Sequence, residues 1–213
     1  MVSPRIAAHL NTFGDRTAVV GDEPGALTYA QLAALVTRFA EQLRPERIPE
    51  PDPSSESAAS NPARRLVALA VRNDLGSLVA YLDALEAGCV VLLTATVTTE
   101  LVATYDPDIV IEPETGSAVE PGSRGGLELG TSDVVESGTG GGLLRMWRRA
   151  GAAHALHPEL ALLLSTSGST GSPKVVRLSY ANLLANARAI AEYLRLGENE
   201  CAATTLPFYY CYG

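Results

Sequence analysis

Four short, uninterrupted apolar runs set the strongest limit on how this chain can fold. They span residues 66–71, 89–93, 109–111 and 160–164, and helix-forming segments separate the first three. A strand that lacks polar alternation is buried on both faces, and strands connected through helices pair in parallel. The sequence therefore predicts an α/β fold, with a mostly parallel sheet flanked by helices.

Capping signals predict where two helices begin. Thr28 and Gln31, three residues apart, form a capping box that opens an amphipathic helix to about residue 43. The helix that follows the first apolar run begins at a cap supplied by either Asn73 or Asp74.

A further capped helix is predicted near the end of the chain. Ser179 caps it, and Gly197 closes it. An apolar stripe along this helix consists of Leu183, Ala187, Ile190 and Leu194. Shorter elements are predicted as helices at residues 4–12 and 98–105 and as strands at residues 18–21, 175–178 and 201–206.

Two segments lack an apolar pattern. Residues 45–63 contain five prolines and many Ser, Glu and Asp, which predicts a mobile surface loop within one domain. Residues 114–157 are glycine-rich and predict an irregular connector, with a short strand near Val134. The glycines of residues 138–142 do not match Gly-x-Gly-x-x-Gly, so we interpret them as a flexible connection and not as a nucleotide loop.

Charge and cysteine content narrow the function classes. The formal net charge is −8, which disfavours nucleic acids and anionic membranes as partners, because both require a basic face. No apolar run could span a bilayer, and the polar first residues do not resemble a signal peptide. Cys89 and Cys201 lie in apolar runs and are predicted to be reduced core residues of a cytoplasmic protein. No cysteine–histidine cluster has metal-ligand spacing, so no metal site made of protein side chains is predicted.

A glycine- and hydroxyl-rich segment directly follows the last of the four apolar runs. Residues 165–174 read Ser-Thr-Ser-Gly-Ser-Thr-Gly-Ser-Pro-Lys. Glycine lets backbone N–H groups approach a ligand, and hydroxyls donate short hydrogen bonds to phosphate oxygens. Lys174 is the single lysine among 16 cationic residues, the others being arginines. Because a compact ammonium on a flexible stem suits a phosphate site, we interpret this segment as a loop that holds nucleotide phosphates.

Three other loop types compete with this interpretation. A Walker A loop needs Gly-x-x-x-x-Gly-Lys-Ser/Thr leading into a helix, whereas these glycines are three apart and a strand-like segment follows Lys174. A dinucleotide loop needs Gly-x-Gly-x-x-Gly, which the segment lacks. A plain flexible hairpin is the third alternative, but the lone lysine and the flanking apolar segments favour a phosphate loop.

Several segments together resemble the adenylate-forming superfamily, which includes acyl-CoA synthetases, peptide-synthetase adenylation domains and luciferase. Residues 166–174 are similar to its phosphate-loop signature. Residues 13–20 and 27–32 resemble its N-terminal segments, and residues 80–91 resemble its helix–strand unit before the core. Residues 206–213, Leu-Pro-Phe-Tyr-Tyr-Cys-Tyr-Gly, resemble the family's next motif. The segments occur in the family's order and cover nearly the whole chain.

The resemblance implies an enzyme, an AMP-forming acid–thiol ligase. Such ligases use ATP, with Mg²⁺ bound through the ATP phosphates, to convert a small carboxylic acid to an acyl-adenylate and pyrophosphate. The acyl group then passes to a thiol, either of CoA or of the phosphopantetheine arm of an acyl carrier protein.

The resemblance also implies roles for individual residues. Lys174 would neutralise the departing pyrophosphate, and Gly171 would keep the turn open. Tyr210 would lie near the carboxylate and the α-phosphate. The β- and γ-phosphates would be held by Thr166, Ser167, Gly168, Ser169 and Thr170.

Two positions depart from the family's pattern. Val175 replaces the glycine that usually follows the loop lysine, which predicts an altered strand geometry. Tyr209 and Tyr210 stand where many members have a histidine, and tyrosine donates a hydrogen bond but is not cationic at neutral pH. We therefore interpret Tyr210 as a pocket wall more than as a catalyst, with core packing of both tyrosines as the alternative.

The resemblance covers the first part of a family member. It implies a partial N-terminal AMP-binding domain over residues 1–213, without the adenine contacts, most of the acyl pocket or the small C-terminal domain. Four aromatic residues within residues 208–213 predict a surface that further chain would bury. The isolated fragment is therefore predicted to be inactive. The alternative is a non-catalytic phosphate-binding module, or one half of a split enzyme.

Overall fold

The computed structural model of the chain describes residues 6–21, 25–43, 64–113, 132–136, 143–149, 154–165 and 175–210. The predicted loops at residues 45–63 and 138–142 lie outside these ranges. The helices are α1 (Ile6–Asn11), α2 (Tyr29–Leu43), α3 (Leu75–Glu86), α4 (Thr99–Tyr105) and α5 (Tyr180–Leu194). The strands are β1 (Thr17–Val20), β2 (Ala26–Thr28), β3 (Leu66–Ala70), β4 (Val90–Thr94), β5 (Ile109–Pro113), β6 (Ser132–Glu136), β7 (Leu143–Arg148), β8 (Leu160–Ser165) and β9 (Val175–Ser179).

A seven-stranded sheet forms the centre of the described structure, in the order β6-β7-β5-β3-β4-β8-β9. Strands β5, β3, β4 and β8 run parallel to one another. Strands β7 and β6 at one side and β9 at the other are antiparallel to their neighbours. The predicted α/β fold with a parallel sheet is confirmed, and the structure adds antiparallel strands at both edges.

Both faces of the parallel strands are buried, as their unbroken apolar sequences predict. Every residue of β3 is buried. On one face, Leu69 belongs to a cluster that includes Leu43 of α2 and Ala84 of α3. On the opposite face, Ala68 belongs to a cluster that includes Val102 of α4. Because alternate residues of a strand point to opposite faces, the sheet needs helices on both sides, and it has them.

The capping residues act as the sequence predicts. The Thr28 N–H donates to Gln31 Oε1 at 2.9 Å, and the Gln31 N–H donates to Thr28 Oγ1 at 3.2 Å. Asp74 caps α3, since its Oδ1 accepts a hydrogen bond from the Ser77 N–H at 2.7 Å. The choice between Asn73 and Asp74 is therefore resolved, and the side chain of Asn73 serves another purpose.

The segment at residues 114–157 is less irregular than its sequence predicts. Strand β6 confirms the expected strand near Val134, but the sequence does not predict β7. Met146 of β7 pairs with Ile111 of β5, and both Met146 and Trp147 are buried. The prediction of irregular structure is wrong for β7 because arginines interrupt its apolar pattern, and its burial depends on β5, a neighbour distant in sequence.

Helix α5 begins as predicted, and its apolar stripe is mostly exposed. Its Ser179 capping box is present, yet Arg195, with φ of 53°, ends the helix before Gly197. No residue of α5 is buried, and only its first turn reaches the main core, through Tyr180 and Leu183. Among the described helices, none combines the length and apolar character that crossing a membrane requires.

The last described segment corrects a further prediction. Residues 201–206 form no strand and are exposed. Cys89 is buried as predicted, whereas Cys201 is exposed. The apolar run at residues 201–206 is short, and a short run is a weak guide to strand formation without a neighbour to pair with.

Asp83 of α3 is a buried acid within this core. Its exposed fraction is 0%, and neither of its carboxylate oxygens has a hydrogen-bond partner among the described residues. Burial raises the pKa of Asp83 to about 10, and the charge of Glu86 contributes to this rise. The carboxyl is therefore protonated in the folded protein at neutral pH.

Asp83→Asn is expected to make the stability less dependent on pH. In the unfolded chain Asp83 ionises near a pKa of about 4, whereas in the folded chain it keeps its proton up to about pH 10. The wild-type free energy of unfolding should therefore fall as the pH rises between these values. Asp83→Asn should flatten that fall and raise the free energy of unfolding at pH 7 by about 1–3 kcal/mol.

Urea unfolding followed by circular dichroism at pH 5, 7 and 9 measures this effect. Asp15→Asn is the matched control, because Asp15 is exposed and the substitution makes the same chemical change at the surface. A profile for Asp83→Asn parallel to that of the wild type would contradict the buried, protonated state of Asp83.

Candidate functional site

Strands β8 and β9 form a hairpin around the predicted phosphate loop. Ser165, the last residue of β8, is in register with Val175, the first residue of β9. Residues 166–174 therefore connect the two strands at this end of the pair. Thr166, Ser167, Gly168, Ser169, Thr170, Gly171 and Lys174 all lie outside the described residues. Their roles stay predictions, but the two strands fix where the loop leaves the sheet and where it returns.

The loop leaves at the carboxyl edge of the parallel strands. Ala70 is in register with Thr94, and Leu93 is in register with Leu164, which places Ser165 at the same level. Strands β3 and β8 are two strand spacings apart, about 10 Å. In open α/β sheets, ligands bind at the carboxyl ends of the strands, so the loop begins where a ligand is expected.

Val175, the departure from the family's pattern, anchors the returning strand. Its side chain is half-buried and packs against a cluster that contains Val90, Leu92 and Leu163. A glycine would make no such contact. Val175 therefore fixes the end of the loop in the core, and the altered residue contributes packing at the hairpin.

Arg64 holds the other end of β8. Its guanidinium donates to the carbonyl oxygens of Gly88 at 2.8 Å and Cys89 at 3.3 Å, in the turn between α3 and β4. It also donates to the carbonyl oxygens of His157 at 2.8 Å and Pro158 at 3.1 Å, just before β8. The planar fork of a guanidinium can bridge two turns in this way. Strand β8 is thus fixed at the end opposite to the loop.

A second segment reaches the same edge of the sheet, and we name residues 204–210 the aromatic turn. The Tyr210 N–H donates to the carbonyl of Pro207 at 2.9 Å, which closes the turn. Phe208 and Tyr209 are half-buried against the main core, whereas Tyr210 is 45% exposed. Tyr209 therefore has the packing role that the sequence left as an alternative, and Tyr210 is open to solvent.

Asn73 connects the aromatic turn to the end of β3. Its Nδ2 donates to the carbonyl oxygens of Thr204 at 2.9 Å and Leu206 at 2.8 Å. Its Oδ1 accepts a hydrogen bond from the Phe208 N–H at 3.2 Å. The sequence did not reveal this role, because an asparagine before a helix is typical of a cap. The structure thus brings Tyr210 to the edge from which the predicted phosphate loop leaves.

A mostly parallel sheet with helices on both faces defines an α/β domain, and in open sheets of this kind ligands bind at the carboxyl ends of the strands. The family model "AMP-binding enzyme" matches residues 6–213 of this chain, and the chain therefore belongs to that family. No curated protein is similar to the chain in sequence at a significant level.

Solved structures of synthetases share the fold. The O-succinylbenzoate coenzyme A synthetase MenE of Bacillus subtilis, in complex with AMP, has a TM-score of 0.63 and 17% identity over 97% of this chain and 50% of that chain. Apo MatB of Rhodopseudomonas palustris has a TM-score of 0.64 and 22% identity over 100% of this chain and 42% of that chain. ATP-bound MatB has a TM-score of 0.63 and 23% identity over the same shares, 100% and 42%. The chain thus spans half or less of the length of these structures, and at these identities they show the fold alone.

Cys201, which precedes the aromatic turn, should react with iodoacetamide much faster than Cys89 in the native chain. Burial raises the pKa of the Cys89 thiol to about 12, so at pH 8 this thiol is protonated as well as inaccessible. Cys201 is exposed and should be modified about 100-fold faster. Peptide mass spectrometry measures both rates. Both substitutions are made in a Cys211→Ser background, because Cys211 lies near Cys201 in the sequence. In that background Cys201→Ser should remove the fast-labelled peptide and Cys89→Ser should leave it, whereas similar rates would contradict the exposed position of residues 201–206.

Proposed function

We propose that this chain supplies the phosphate-binding part of an enzyme that activates a carboxylic acid with ATP. The acid would become an acyl-adenylate, pyrophosphate would leave, and the acyl group would pass to a thiol of CoA or of carrier-protein phosphopantetheine. The observation that carries this proposal is the position of the loop. Within an AMP-binding family member, a segment rich in Gly, Ser and Thr leaves the carboxyl end of an inner parallel strand and carries the single lysine.

The chemistry of acid activation explains what such a loop would contribute. A carboxylate oxygen attacks the α-phosphorus of ATP, and the bond to the bridging oxygen of pyrophosphate breaks. Negative charge collects on the departing pyrophosphate, so positioning and charge neutralisation supply most of the catalysis. Backbone N–H groups and hydroxyls of residues 166–171 would bind the β- and γ-phosphates, and the Lys174 ammonium would neutralise the leaving group. Mg²⁺ would enter bound to the phosphates of ATP.

The position of Tyr210 also suggests a role for this residue. It is exposed at the carboxyl edge, and its phenol can donate a hydrogen bond but carries no positive charge at neutral pH. Tyr210 would therefore form a wall near the reacting carboxylate and would not act as a cationic catalyst.

A second candidate is a phosphate-binding half that works only together with further polypeptide. Two observations favour it: the chain spans 42–50% of the matched structures, and no residue of α5 is buried. In this case the 213-residue chain alone should show no turnover, which is also what we expect under the first candidate.

Lys174→Ala should strongly slow adenylation in the complete protein that contains this chain. ATP–pyrophosphate exchange, driven by a panel of carboxylic acids, measures the reaction. We expect at least one acid to support exchange, and Lys174→Ala to lower the rate by about 100-fold or more, because one preorganised charge contact in such a site has this magnitude. Lys174→Arg should recover only part of the rate, because a planar guanidinium does not reproduce a point charge.

Arg177→Ala is the matched control. Arg177 is an exposed cation three residues further along, in β9, and its loss changes the net charge equally. Exchange in this variant should stay within about twofold of the wild type, since surface charges away from the reacting groups have small effects. If no acid supports exchange, or if Lys174→Ala behaves like Arg177→Ala, the proposed function is wrong.

A further inference from the structure

The aromatic turn has little regular structure to hold it in place. Residues 201–206 are exposed and belong to no helix or strand. Phe208 and Tyr209 give the turn apolar contact with the core, but apolar contact is non-directional and does not by itself fix an orientation. Directional support comes from Asn73, through three hydrogen bonds of 2.8, 2.9 and 3.2 Å to backbone groups of the turn.

The chemistry of these three bonds requires the side chain of Asn73. Two backbone carbonyls need donors and one backbone N–H needs an acceptor, and a primary amide offers both on one planar group. Aspartate has the same shape but no donor when ionised, serine is shorter and has one donor, and lysine and arginine have no acceptor. Asparagine is thus matched to the turn in both size and bonding.

Asn73 is itself held by rigid neighbours. The Arg72 N–H donates to Ser77 Oγ at 2.9 Å, and the Ser77 N–H donates to Asp74 Oδ1 at 2.7 Å. Ser77 is fully buried in α3. The residues on both sides of Asn73 are therefore fixed to one buried serine, and Asn73 extends from a rigid junction between β3 and α3.

We propose that Asn73 is a positioning residue, which orients the aromatic turn, and with it Tyr210, at the carboxyl edge of the parallel strands. Asn73 lies just beyond the end of β3, and the loop leaves the end of β8 at the same edge, two strand spacings away. This inference rests on the proposed function and adds to it a residue that belongs neither to the loop nor to the aromatic turn. Asn73 touches no substrate in this account and acts through the backbone of residues 204–208.

Amide hydrogen exchange of this chain tests whether Asn73 holds the turn. Asn73→Ala removes all three hydrogen bonds, and Asn73→Asp keeps the volume but places an anion against two carbonyls. Both variants should speed exchange at the Phe208 and Tyr210 amides by about tenfold or more, because local opening becomes easier. Ser179→Ala is the matched control: it removes the helix cap of α5 at the opposite edge of the sheet, and should lower the melting temperature without changing exchange in the turn.

Kinetics of the complete protein test whether that orientation serves catalysis. In ATP–pyrophosphate exchange, Asn73→Ala should lower kcat/KM for the acid by about tenfold or more, since a small misplacement of a positioning group has large effects. The KM for ATP should stay within about twofold, because the β8–β9 hairpin holds the phosphate loop without Asn73. Ser179→Ala should change neither value at a temperature where it is folded.

The results test two claims separately, the positioning role of Asn73 and the proposed function. Unchanged amide exchange in Asn73→Ala, or equal kinetic effects of Asn73→Ala and Ser179→Ala, would overturn the positioning role and leave the proposed function intact. Absence of exchange with every acid in the wild type would overturn the proposed function, and the catalytic part of this inference with it. A lower kcat/KM for the acid in both Asn73 variants, with the KM for ATP unchanged and Lys174→Ala strongly slowed, would support both claims.

Discussion

Burial of the parallel strands on both faces is the constraint on which the rest of the structure depends. Strand β3 is buried at every position, and its neighbours β4, β5 and β8 run parallel to it. Parallel strands end at the same edge, so the segments that leave β3 and β8 must meet there. Asn73 lies on the first segment, and the predicted phosphate loop is the second. The location of the candidate site therefore follows from the direction of the strands, whereas its chemistry depends on a few side chains.

The elements that could be predicted are those whose signals are local. Unbroken apolar runs indicate the buried strands, and the pair Thr28–Gln31 indicates the start of α2 because a capping box acts over three residues. Strand β7 could not be predicted, since its arginines hide an apolar pattern that becomes meaningful only beside β5. The apolar stripe of α5 is typical of a buried face, but burial needs a surface to pack against, and the described residues provide one only for the first turn.

Like the fold, the candidate site could be predicted from the sequence only where its signals are local. The composition of residues 165–174 and the lone lysine point to phosphate chemistry directly from the sequence, and this role stays a prediction because residues 166–174 lie outside the described residues. Asn73 could not be found in this way, because its partners are more than 130 residues away and its position before a helix suggests a cap. Tyr209 and Tyr210 are adjacent and chemically equal, and only the fold separates a half-buried side chain from an exposed one.

The central claim is that nucleotide phosphates bind at the carboxyl edge, between the β8–β9 loop and the aromatic turn. Hydrogen–deuterium exchange of the complete protein, with and without Mg-ATP, tests this claim most directly. We expect ATP to slow exchange in residues 166–174, and we expect the slowing to extend to residues 206–210 when the acid is also present. Slowing confined to another glycine-rich segment, such as residues 138–142, or no slowing at the loop, would contradict it.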